Sequence, residues 1–239
     1  MKKYILALVS CFTLFITNIT AARADVMHFE RGGASTVPGI VEPGQINLEI
    51  GTFNYADTYK GKGSYGFALG STKIRYGIND RLELRLTQSG VIVNDALGGM
   101  ANLGLGFKTA ITKEEHGLLP VMNLVTEFQI PFGRDELKNP GFNHSYLLTT
   151  SKALTDKLIA VNIIGLNLGQ IATPTHDVDT VAIPYLTNLS YAANDKLGFF
   201  TDLYGTWGLT GGTADPLAVD IGFAYVINDN MIFDLSVNK

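Results

Sequence analysis

The stretch "YGINDRLELRL", Tyr76 to Leu86, decides the fold. A polar turn, Asn79-Asp80, opens onto strict alternation, with Leu82, Leu84 and Leu86 on one side and Glu83 and Arg85 on the other. Successive side chains of a strand point to opposite faces, so this is a strand with one apolar and one charged face. The arrangement recurs in "ALTDKLIAVNI" (153–163), "AANDKLGFFTDL" (192–203) and "VINDNMIFDL" (226–235). Each sets a short Asn/Thr-Asp-polar turn directly before an apolar residue that starts a new strand. Asn and Asp tolerate the left-handed backbone of tight hairpins, which predicts four hairpins built alike.

The period of two extends over the rest of the chain from Gln45 onward. Ile46, Leu48 and Ile50 oppose Asn47 and Glu49; Ile74 and Tyr76 oppose Lys73 and Arg75. Leu103, Leu105 and Phe107 oppose Lys108, and Leu124, Phe128 and Ile130 oppose Asn123 and Glu127. Val181 to Tyr191, Leu197 to Trp207, Val219 to Tyr225 and Phe233 to Val237 repeat it, with Asp202, Asp220 and Asp234 on the opposite faces. Helical spacing is never sustained, so the chain is all-β. Ile159–Leu168 fits least well, because apolar residues occupy both of its faces.

The first 24 residues are expected to be a secretory signal peptide. Lys2-Lys3 is the positive start, Tyr4 to Ile16 the apolar core and Ala22-Arg23-Ala24 the cleavage box before Asp25. The only cysteine, Cys11, lies inside that segment, so disulfides and Cys-ligated metals are not expected in the mature chain. Loss of Lys2, Lys3 and Arg23 from the 18 basic residues leaves 15 against 22 acidic ones, about −7. That balance argues against nucleic acid as a partner. Residues 25–44 form a Gly/Pro-rich lead, including "RGGASTVPGIVEPG" (Arg31 to Gly44), and 45–239 the β domain. No later segment has the run of apolar residues that a membrane-spanning helix needs.

Short and long connections alternate strictly. The four Asn/Thr-Asp turns, with Thr112–Gly117, fall on one rim; Ala56–Ser64, Ile92–Gly99, Pro131–Gly141, Ile171–Val178 and Gly208–Pro216 fall on the other. Short periplasmic turns and long outer loops are the asymmetry of outer-membrane barrels. Alternation alone also suits a soluble β-sandwich or a lipocalin-like binder, in which the apolar faces meet each other. Strands of barrel-spanning length, sparse charge and aromatic placement favour the membrane barrel. Tyr76, Tyr191 and Tyr225 sit beside the short turns and Trp207 at the far end of its strand, as two interfacial girdles require. The expected architecture is an antiparallel up-and-down transmembrane barrel. It has 12 strands by design, with 11 visible, the last running outward to the C-terminus without a closing partner.

The lumen-lining candidates are Glu49, Lys73, Arg75, Glu83, Arg85, Lys108, Glu127, Asp202, Asp220 and Asp234. Such a mixed set forms an internal ion-pair network or a polar lining that filters solutes. Asn143-His144-Ser145 invites comparison with lipid hydrolases, but neighbouring strand residues face opposite sides. His176-Asp177-Val178-Asp179 lacks ordered ligand spacing and reads as a solvated loop. No catalytic residue, metal site or cofactor is expected.

The order of these pieces resembles the "MetA-pathway of phenol degradation" family of outer-membrane transporters. The resemblance rests on "VEPGQINLEIG" (Val41 to Gly51), "IRYGINDRLELRL", "FQIPFGRDEL", "ANDKLGFFTDLYG" and "INDNMIFDL", and covers roughly residues 36–237. It implies an outer-membrane barrel of a Gram-negative bacterium, exported after cleavage near Ala24, and a passive route for small, hydrophobic or aromatic molecules. Its partners would be outer-membrane lipid, the unknown solute and, during biogenesis, the barrel-assembly machinery. The alternatives are a non-transporting envelope barrel whose outer loops bind a partner, and the soluble binder.

Overall fold

A strand with one charged and one apolar face must put those faces in different surroundings, and a sheet curled into a ring does so for every strand at once. The computed structural model describes residues 13–17, 39–51, 54–58, 64–88, 90–94, 98–100, 102–135, 137–172, 175–210 and 217–238. All sixteen elements among them are strands. They are β1 (Thr13–Thr17), β2 (Ile46–Gly51), β3 (Asn54–Thr58), β4 (Ser64–Leu69), β5 (Ser71–Asn79) and β6 (Leu82–Gln88). Next come β7 (Val91–Asn94), β8 (Gly98–Met100), β9 (Leu103–Thr112), β10 (Val121–Ile130) and β11 (Asn143–Thr155). The last five are β12 (Leu158–Ala172), β13 (Asp177–Ala192), β14 (Leu197–Gly208), β15 (Ala218–Asn228) and β16 (Met231–Asn238).

Eleven of these strands form one antiparallel sheet in the order β2-β5-β6-β9-β10-β11-β12-β13-β14-β15-β16. The eleven strands are those expected from the alternation. The missing strand belongs between β2 and β16, and β1 occupies that place. Phe15 pairs with Glu49 on one side, and Leu14 pairs with Phe233 on the other. Both pairings are antiparallel and together they close the ring. Closure therefore uses Thr13–Thr17, a segment of the expected leader. Lys2-Lys3, Cys11, the cleavage box at 22–24 and the lead as far as residue 38 lie outside the described residues.

One expectation holds in full and two need correction. First, β12, which fits the alternation least well, is the ring strand expected: it pairs with β11 from Leu158 to Leu168, with a register shift between Ala153 and Thr155 of β11, and with β13 from Leu158 to Ala172. Apolar residues sit on both faces because the ring interior beside β12 is itself uncharged. Second, two of the long connections contain strands. β3-β4 and β7-β8 are hairpins that pair through β4 and β7 into a separate four-stranded sheet at the long-loop end. The third connection packs on it, with the backbone N–H of Arg134 donating to Met100 O at 3.0 Å.

Third, the repeated turns do not use left-handed residues. Among the described residues only glycines have positive φ. Instead the first polar side chain of each turn accepts hydrogen bonds from the backbone ahead of it. Asn79 Oδ1 accepts from Arg81 N at 2.8 Å, and Asn228 Oδ1 accepts from Asn230 N at 2.9 Å. Asn194 Oδ1 accepts from Lys196 N and Leu197 N at 2.9 and 3.0 Å, and Thr155 Oγ1 does the same for Lys157 and Leu158 at 3.2 and 3.0 Å. A short side-chain acceptor mimicking a backbone turn explains why Asn and Thr are interchangeable here. Asn194→Ala should lower the unfolding free energy by about 1 kcal/mol, and Asn194→Asp should retain it, as read by urea titration of the folded protein.

Candidate functional site

The interior of the ring is where the ten charged candidates meet. Strand alternation places all ten side chains on that face, opposite the exposed apolar residues. Glu49, Arg75, Glu83, Lys108 and Asp202 are 0% exposed, and Arg85, Asp220 and Asp234 are nearly so; Lys73 and Glu127 are half-buried. The outer face is the reverse. Ile221 is 63% exposed and Trp207 57%, and Leu86, Leu105, Phe107, Leu124, Leu189 and Leu203 are exposed as well.

Three sectors divide the interior. On β2, β5, β6, β9 and β10 the charges pair. Arg75 grips Glu83 with two bonds, Nε to Oε1 at 2.7 Å and Nη2 to Oε2 at 2.8 Å, and reaches Glu49 on the other side at 3.3 Å. Arg85 also reaches Glu83, at 3.4 Å. A planar guanidinium can engage a carboxylate with two parallel bonds, which a lysine cannot. Higher in the same sector Thr87 donates to Glu127 at 3.0 Å.

The second sector, β11 to β13, presents no ionisable side chain to the interior. Leu147, Val161, Ile163, Ala182 and Leu186 face inward beside Thr149 and Asn188. The third, β14 to β16, carries Asp202, Asp220 and Asp234 next to Phe200 and Tyr204. Asp202 accepts a hydrogen bond from Asn188 at 2.6 Å, and Asn188 in turn accepts one from Ser190 at 2.7 Å. Ser236 donates to Asp220.

The end of the lead enters this interior at the short-turn rim. Gly39 O accepts from Lys108 Nζ at 2.7 Å and from Arg75 Nη2 at 3.1 Å, while Val41 N donates to Glu83 Oε2 at 3.0 Å. Gly44 N donates to Gly77 O and Gly77 N to Gln45 O, so the lead runs along β5. Gly77 shares the inward face of β5 with Arg75 and has no side chain. A Cβ built there would overlap the carbonyl oxygens of Val41 and Glu42. The missing side chain is what admits the lead.

The aromatic candidates lie on the outer face. Tyr76, Tyr191 and Tyr225 are exposed beside the short turns, and Trp207 stacks on Tyr185 at 4.6 Å near the long-loop end. Tyr185 covers Gly205 on the neighbouring strand. His144 and Ser145 form no dyad: the His144 ring packs edge-on against Phe128 at 5.1 Å, and Ser145 donates inward to Asn167 at 2.7 Å. Asp179 is engaged by Gln170 at 2.8 Å, and among the described residues no group of His, Asp and Glu converges as metal ligands.

The family model described as "Putative MetA-pathway of phenol degradation" matches residues 29–239. The chain belongs to that family. No curated protein sequence matches it. The family match begins before the lead contacts Arg75, so the phenol-degradation family region spans both the ring strands β2 to β16 and the segment inside them. The sequence did not mark Gly39, Val41 or Gly77 as site residues, and of the buried neutral residues Asn123, Thr149 and Asn188 it placed only Asn123, on the polar face of its strand. The three neutral residues share the inward alternation of the charges, and that was the available signal.

Exposed ion pairs join neighbouring turns on the short-turn rim: Lys113 with Asp80, and Lys152 with Glu115 at 2.7 Å. The hydrogen bond from Lys113 holds the Asp80 carboxyl below its ordinary 3.8, and the bond from Lys152 holds Glu115 below 4.5. Lowered folded-state values mean that the stabilisation is present above those ordinary values and is lost as pH falls through the lowered ones. Lys113→Ala/Lys152→Ala should therefore be less heat-stable than wild type at neutral pH and low salt, the gap closing below about pH 4. In the interior, Arg75→Leu should cost roughly 3–5 kcal/mol because it strands Glu83 and Glu49. Arg75→Lys should restore only part, since the two-pronged grip is lost; urea unfolding of each variant measures both.

Proposed function

We propose that this protein is an outer-membrane β-barrel that gives small molecules, hydrophobic or aromatic ones among them, a passive route across the membrane. The observation that carries this reading is the inverted burial: Glu49, Arg75, Glu83, Lys108 and Asp202 inside the ring have no exposed surface while large apolar side chains cover the outside. In water that distribution is costly, and in a bilayer it is the stable one. It also speaks against a lipocalin-like binder, whose interior is the apolar side. The uncharged sector of Leu147, Val161, Ile163 and Leu186 beside Phe200 is suited to a solute with an apolar body. The family's name, with its phenol-degradation pathway, is compatible with such a solute.

On this reading residues 39–44 are a gate, fastened by Lys108, Arg75 and Glu83. The full burial of those charges favours a second reading, a non-conducting barrel that structures the envelope. Gly77→Ala separates the two. Gly77 does not have positive φ, so alanine suits the backbone, yet its methyl displaces the lead. Solute-driven swelling of proteoliposomes should rise several-fold for Gly77→Ala, and also for Lys108→Met. Unchanged permeability in both, with the fold intact, would leave the non-conducting barrel.

A further inference from the structure

β12 carries a polar pair where its outer face should be greasiest. Asn162 and Thr187 are direct cross-strand partners, both exposed on the outside, and Thr187 Oγ1 donates to Asn162 Oδ1 at 2.9 Å. Thr150 on β11 is the partner of Asn162 on its other side, which extends the polar stripe across three strands. Around the stripe lie the exposed Leu148, Ile164, Leu189 and Leu203.

The depth of this pair follows from the girdles. Tyr191, beside a short turn, and Ile183, the partner of Trp207, bracket β13, and Thr187 lies four residues from each. At about 3.3 Å per residue and a tilt near 40°, the bracket spans roughly 20 Å, so the pair sits at the middle of the apolar band. There the Asn162 amide is only half satisfied. Thr187 is its one hydrogen-bond partner among the described residues, and either orientation of the amide leaves an N–H pointing into hydrocarbon. An amide N–H left without an acceptor at that depth is strongly disfavoured.

We infer that the outer face of β11 to β13 is an interface with a second copy of this chain, arranged about a two-fold axis along the membrane normal. This rests on the membrane reading above. Insertion fixes each copy at the same depth, so Asn162 of one copy meets the same stripe of the other without further adjustment. A primary amide is both donor and acceptor, and Thr187 Oγ1 retains acceptor capacity after donating to Asn162. Asn162 of each copy donates to Thr187 of the other, and the contact is satisfied reciprocally, as an isologous interface requires.

The test is cysteine cross-linking in membranes, in a Cys11→Ser background that carries no other cysteine. Ile164→Cys and, separately, Leu189→Cys, which flank the stripe and leave Asn162 and Thr187 in place, are treated with a short bismaleimide, with Ile221→Cys on the exposed face of β15 as the control. A band of twice the monomer mass for residues 164 and 189 but not for 221 is expected, together with a shift to monomer in mild detergent for Asn162→Leu/Thr187→Val. A folded, membrane-retained protein that stays monomeric, or cross-links equally at 221, overturns the interface alone. Soluble protein overturns the membrane reading and the interface with it.

Discussion

Arg75 lies where a carboxylate from each neighbouring strand can reach it, Glu49 on β2 and Glu83 on β6. None of the three has any exposed surface. Such an arrangement is stable only if the ions neutralise one another and use most of their hydrogen-bonding capacity. The bidentate grip on Glu83, the reach to Glu49 and the bond to Gly39 O meet that condition. The cluster ties three strands and the lead together at one end of the ring. Once these charges are inside, the apolar residues that alternate with them must be outside, and the surroundings of the outer face follow.

Much of this was legible because the side-chain period is two. In "RLELRL" the position of Glu83 and Arg85 fixes the direction of Leu82, Leu84 and Leu86, and the same parity sorts the eleven strands of the ring sheet, β2, β5, β6 and β9 to β16. The Asn/Thr-Asp repeat located the hairpins but suggested the wrong mechanism. Residue preference alone cannot distinguish a left-handed backbone from a side-chain acceptor. β12 was the hardest strand to read for a physical reason: its inward residues face no charge, and Asn167, which accepts from Ser145, is the one polar side chain among Ile159, Val161, Ile163 and Asn167. The hairpins β3-β4 and β7-β8 read as loops because Gly, Asn and Asp punctuate them, and the pairing that joins them into one sheet, β4 with β7, lies between two separate connections.

The interior site was half visible. Its charged members were marked by alternation, but its geometry depends on contacts between distant segments. Gly39 and Lys108 are 69 residues apart, and nothing local in either announces the bond between them. The position of β1 was likewise hidden, since an apolar, β-branched segment near the N-terminus serves equally as a leader core or as a strand. Without β1 the twelfth place in the ring would be a row of unpaired backbone groups on β2 and β16, which any strand of suitable composition satisfies. Export with cleavage near Ala24 would take β1 away with the leader, and another segment would then have to protect those two edges.

The central claim is that the charged face of the ring is its inside and the apolar face meets lipid. The most direct measurement is the heat-modifiability of the protein in an outer-membrane fraction, comparing unboiled and boiled samples on one gel. A membrane-retained folded band that migrates apart from the boiled one is the predicted result. Protein recovered in the soluble periplasmic fraction, with no such shift, would contradict the claim.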